Sequence, residues 1–156
     1  MELFLKEQIV LEQMRQHHRE TVASYRALDA KALSLLEIGS IIITLLTGFQ
    51  LANSKLENGS LLIIALIFYA CTAICAFKVI FPKEIQREPI QANWEAISAK
   101  LKEPDDTFLY TLLSGYEDSI KANDEVNSEK AFYLRLTFIL LTVTVAVSLL
   151  AVFFVK

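Results

Sequence analysis

Three apolar runs dominate the chain: Ile38 to Leu51, Leu61 to Phe81 and Leu136 to Val155. Each, with its flanks, reaches the roughly 20 residues that a helix needs to cross a hydrocarbon core of about 30 Å. The pattern predicts a polar helix with intermittent apolar positions over 1–31, a transmembrane helix over 32–52 and a turn marked by Asn58-Gly59. It continues with a second span over 60–81 that ends at Pro82, a polar helical segment over 83–131 and a third span over 132–155. The fold class expected is an all-α membrane protein of three transmembrane helices.

The polar segments read as helical extensions of the spans. From Glu2 to Phe49 the only potential breakers are Gly39 and Gly48, and membrane helices tolerate glycine. One helix should therefore run through 1–31 into the first span. Its polar part carries a seven-residue repeat, with Phe4, Leu11, His18, Tyr25 and Ala32 on one line and Met14, Thr21, Leu28 and Leu35 on the next. After Pro104, either Asp105 or Asp106 suits an N-cap, and no later proline interrupts the chain. Leu109, Leu112, Leu113, Tyr116 and Ile120 form an apolar face there. The two extensions are expected to pack together as a stalk, joined by a short helix over 90–102 that contains Trp94, Ile97 and Leu101.

Composition agrees with a bilayer. The chain is 54% hydrophobic with a mean hydropathy of +0.41, above the ~45–50% apolar content of soluble domains. Fifteen basic against eighteen acidic residues leave a net charge of −3, and the acids gather in 83–131, so duplex nucleic acid is not an expected partner. No cleavable signal is expected in the charged N-terminal thirty residues. Arg26, Lys31, Lys78, Lys83, Arg87, Lys130 and Arg135 flank one side of the spans, against Lys55 and Lys156 on the other. Basic residues favour the cytoplasmic side, so the N-terminus and 83–131 are expected in the cytoplasm and the C-terminus in the periplasm. Cys71 and Cys75 lie one turn apart in the second span. That spacing suits neither a disulfide nor, with two ligands alone, a metal site, so they read as small packing residues.

The most specific chemistry lies on the first span. Ser34, Glu37, Ser40, Thr44 and Thr47 share one helical face, while Leu35, Ile38, Ile42, Leu46 and Phe49 face the other way. A carboxylate at membrane depth costs on the order of 2.5–3.5 kcal/mol and usually faces a bundle interior or water. Three helices have no room for a hydrated pore, but a homo-oligomer does, and a ring of acids favours cations. Glu37, Ser40, Thr44 and Thr47 are thus the candidate pore-lining residues. The competing view is that the hydroxyls pack helices and Glu37 snorkels toward Lys31. Thr137, Thr144 and Ser148 on the third span, and Ala65, Thr72 and Ala76 on the second, read as helix contacts.

Candidate ligand-binding residues are Arg15, His18 and Arg19 on the first extension and Asn123, Asn127 and Lys130 on the second. Two arginines beside a histidine suit a phosphate group, although Glu7, Glu12, Glu20 and Asp29 balance the charge of that helix and a solvated coiled-coil face is the default reading. Polar residues on a seam that should be apolar mark either a ligand pocket or a polar layer that sets register. No motif for catalysis, a metal or a cofactor is present, so none is expected and the chain does not read as an enzyme.

Asp29-Ala30-Lys31-Ala32 entering an apolar helix, Pro82 closing the second span, and Asn127 with Lys130 opening the third form a familiar set. It resembles the small multi-span transmembrane effectors of bacterial anti-phage defence, the group that includes Pycsar and CBASS effectors, SLATT-type domains and Hailong-type channel effectors. That resemblance implies an oligomeric protein of the inner membrane that permeabilises it in abortive infection. It also implies gating by a nucleotide or oligonucleotide made by a partner nucleotidyltransferase. Many members carry a separate nucleotide-binding domain. This chain is expected to lack one, which would leave the helical extensions to read the signal. The alternative is a membrane-anchored scaffold that recruits a cytoplasmic partner and forms no pore.

Overall fold

The computed structural model describes residues 2–52, 59–86 and 105–153. The expected helix over 90–102 and the Asn58 position of the turn lie outside them. Three helices account for nearly all of what is described: α1 (Glu2–Ala52), α2 (Gly59–Ile80) and α3 (Asp105–Phe153). All three contain a stretch long and apolar enough to cross a membrane.

The sequence explains these lengths. No proline occurs within α1, and its two glycines are absorbed without a break. α3 begins at Asp105, directly after Pro104 in the sequence, and no proline occurs within it. α2 ends with a last backbone bond of 2.8 Å from Phe81 N to Phe77 O. Pro82 follows, has no N–H to donate, and the chain leaves the helix.

The chain divides into two compact units, Met1–Arg26 with Lys83–Ser128, and Ala27–Pro82 with Glu129–Lys156. In the first, the polar parts of α1 and α3 pair with each other. His18 approaches Asn123 and Thr21 is bonded by Asn127, at sequence separations of 105 and 106. The near-constant separation means that the two helices run parallel. The heptad positions of this unit follow the seam: His18, Thr21 and Tyr25 are buried, and Leu11 and Met14 half-buried. On α3, Leu112, Tyr116 and Ile120 are buried.

The second unit is a bundle of three helices with a core of small side chains. Ala32, Ala65, Thr72, Ala76, Thr137, Thr144 and Ala151 have no accessible surface, and Ser148 has almost none. Small residues let helices approach closely where no hydrophobic effect drives them together. The hydroxyls are satisfied within their own helices: Thr72 donates to Phe68 O, Thr137 to Tyr133 O and Thr144 to Leu140 O, at 2.8–2.9 Å. Gly39 belongs to the same logic. A Cβ there would come within 2.9 Å of Leu141 Cδ1 and 3.1 Å of Tyr69 Cε2.

One expectation is corrected. Both cysteines are free thiols, but Cys71 is exposed rather than packed within the chain. Ala65, Thr72, Ala76 and Val79 hold the buried line of α2, and Cys71 falls outside it because consecutive helix positions turn about 100° apart.

Candidate functional site

The polar stripe of α1 lies on the surface of its unit. Ser34, Glu37, Ser40 and Thr44 are exposed and Thr47 is half-buried. The buried positions of α1 in this unit are Ala32 and Gly39. The stripe therefore turns away from the chain's own bundle.

Its hydroxyls are oriented by the helix. Ser34 donates to Ala30 O at 3.1 Å, Ser40 to Leu36 O at 2.7 Å and Thr44 to Ser40 O at 2.7 Å. Each hydroxyl has one proton, and here it points back along the backbone. Oxygen lone pairs then face outward, which presents acceptors to water or a cation. Tyr69 of α2 joins this row, its hydroxyl 2.5 Å from Ser40 Oγ. Because Ser40 has already given its proton to Leu36 O, Tyr69 is the donor in that pair. Glu37 makes no ion pair or hydrogen bond among the described residues, with Lys31 or any other.

A second polar constellation lies in the other unit, around the segment that leaves α2. Asn123 grips the backbone of Gln86 from both sides: Gln86 N donates to Oδ1 at 2.9 Å, and Nδ2 donates to Gln86 O at 3.2 Å. The same carbonyl lies 3.1 Å from His18 Nε2. Tyr25 Oη accepts from Lys83 N at 3.0 Å. Residues 83–86 are thus strapped along α1, antiparallel to it. These bonds replace those that the backbone lost when Pro82 ended the helix. His18 packs edge-on against Tyr116, with ring centroids 6.0 Å apart. The hydroxyl of Tyr116 is buried and takes no hydrogen bond among the described residues.

The six candidate ligand residues are not all brought together. His18 and Asn123 converge on Gln86. Asn127 donates to Thr21 O at 2.8 Å. Arg15 bonds Glu12 on its own helix, and Arg19 is exposed. Lys130 belongs to the other unit, where its ammonium is fully buried against Asp29, 2.5 Å away. Sequence reasoning missed Tyr69, the strap at 83–86 and the Asp29–Lys130 pair. The last was open to detection, because the two opposite charges stand within three residues of the starts of the first and third spans.

Three apolar helices, a core of small residues and a polar stripe on one span define a polytopic α-helical membrane protein. The family model for the Pycsar effector protein domain, PycTM, matches residues 13–155, and the chain belongs to that family. It is a transmembrane effector of the anti-phage Pycsar type. Neither the curated proteins nor the solved structures yield a match.

Proposed function

We propose that the chain assembles into an oligomeric channel of the bacterial inner membrane, with Glu37, Ser40, Thr44 and Thr47 lining the pore. The observation that carries this reading is the exposed stripe. In a single copy, a carboxylate and three hydroxyl side chains on the surface of α1 would meet lipid, which is costly for the charge. Copies arranged with these faces toward a shared axis put the same groups in water. Outward lone pairs and a ring of carboxylates then favour cations. Conductance on demand would serve abortive infection, in which the infected cell loses its membrane barrier.

Gating is assigned to the polar parts of α1 and α3, for which the basic residues at the ends of the spans support a cytoplasmic position. A nucleotide or oligonucleotide from a partner nucleotidyltransferase would act there. The buried hydroxyl of Tyr116, which lies beside His18 and takes no hydrogen bond among the described residues, supports this, since a polar atom in such a position gains by acquiring a partner. Arg15 and Arg19 remain candidates for contact with the phosphate, while Asn127 and Lys130 are engaged by Thr21 and Asp29.

The test is the reversal potential of purified protein in a planar bilayer across an asymmetric salt gradient. Glu37→Gln keeps the shape of the side chain and removes its charge. Cation selectivity and toxicity on expression should fall while insertion is retained. Identical reversal potentials for variant and wild type would remove Glu37 from the pore. Absence of conductance under any condition would favour the scaffold reading.

A further inference from the structure

In the membrane-spanning unit a cleft of about 730 Å³ opens between α1 and α3. Lys31 and Arg135 stand at its rim, and Leu35, Leu134, Phe138 and Ile139 line it further in. Both cations are exposed, and neither has an ion-pair partner among the described residues. No acid lines the cleft. Asp29, the acid nearest to it in sequence, is engaged by Lys130.

The order of these residues is the order of a phospholipid. Lys31 and Arg135 precede the apolar runs of their helices, where headgroups lie. Leu35 is one turn deeper than Lys31, and Phe138 and Ile139 are one turn deeper than Arg135. A guanidinium fork and an ammonium suit a phosphate, and the walls below suit an acyl chain. A nucleotide fits poorly, because below the two cations the only polar side chain of the lining is Ser34, whose proton is given to Ala30 O, which leaves little for base edges or sugar hydroxyls. We propose that this cleft binds an anionic phospholipid of the surrounding leaflet, with the phosphate on Lys31 and Arg135 and a chain along Leu35, Leu134, Phe138 and Ile139. The proposal rests on the membrane-spanning assignment and not on conductance. Basic pockets between spanning helices are a recurrent way of selecting anionic lipid.

The experiment is native mass spectrometry of the full-length, delipidated protein titrated with phosphatidylglycerol or with phosphatidylcholine of the same acyl chains. Two basic side chains near the headgroups should give wild type a preference of about thirtyfold for the anionic lipid. Lys31→Gln with Arg135→Gln should abolish it. Lys78→Gln removes an exposed cation from the last turn of α2, outside the cleft, and should leave the preference in place. Ala30→Trp fills the cleft and should weaken binding with both cations present. Equal binding of the two lipids by wild type would overturn the proposal. So would an equal loss in Lys78→Gln, which would mean general surface charge. If Ala30→Trp dissociates the oligomer while lipid binding is unchanged, a second copy occupies the cleft and the proposal also falls. Lipid adducts are read by mass, so failure of the channel reading would leave this test intact.

Discussion

The two glycines of α1 have opposite requirements. At Gly39 a side chain would collide with Leu141 and Tyr69, whereas nothing lies within 4 Å of the position where a Cβ would stand at Gly48. Overpacking a fitted core typically costs about 1–3 kcal/mol. Gly39→Val should therefore lower the melting temperature of the detergent-solubilised protein, and Gly48→Ala should leave it almost unchanged. Gly39 also bears on the polar stripe, because displacing Tyr69 would remove the donor to Ser40.

At the scale of elements, polar groups fix how α1, α3 and the strap meet. The ammonium of Lys130 is fully buried against Asp29, whose side chain is about a quarter exposed. Removing one member of such a pair leaves an uncompensated charge, typically at a cost of about 3–5 kcal/mol. Asp29→Asn should destabilise the solubilised protein by roughly this amount. The double variant Asp29→Leu with Lys130→Met should recover much of the loss, as a two-by-two comparison of melting curves would show. Asn123 makes a different kind of tie. It satisfies both backbone groups of Gln86, and a buried hydrogen bond left unmade costs about 1–3 kcal/mol. Asn123→Ala should raise hydrogen–deuterium exchange at the Gln86 amide well before it affects the middle of α3. Unchanged exchange there would mean that His18 and Tyr25 hold the strap without Asn123.

For the whole molecule, the apolar surface demands a solvent other than water. Ile41, Leu45, Ile67, Ile74, Phe77 and Phe138 are each more than half exposed, and only 11% of the most apolar window of α1 is buried within the chain. Lipid or further copies must cover these faces, while the Glu37 stripe needs water or a partner. The distribution of basic residues is the ground for the proposed orientation, with the C-terminus outside. A periplasmic reporter enzyme joined after Lys156 should be active, and a cytoplasmic reporter at the same position silent. The reverse result would invert the topology and place the polar helices outside the cell.

Periodicity and breakers were enough to read the elements. Long apolar runs, the lack of proline in α1 and α3, and Pro82 after α2 each act through local backbone chemistry, so they are visible in a single chain. The heptad lines through His18 and Tyr25 and the small-residue lines of α2 and α3 were legible for the same reason: a helix places every third or fourth residue on one face. The polar stripe of α1 was legible as a line, but its direction was not. Which face of a helix turns inward depends on what packs against it, and that required Gly39 to meet Leu141 and Tyr69. The same limit hid the strap. Gln86 contributes only its backbone, and nothing in the side-chain sequence announces that Asn123 will hold it. The sequence by itself determined three spanning helices, two of them extended, and which residues share each face. Tertiary structure alone decided which polar groups are spent on holding helices together, as Asn127 and Lys130 are, and which remain exposed, as Glu37 does. That choice depends on distances between residues about a hundred positions apart, and no local rule of helix geometry reaches so far.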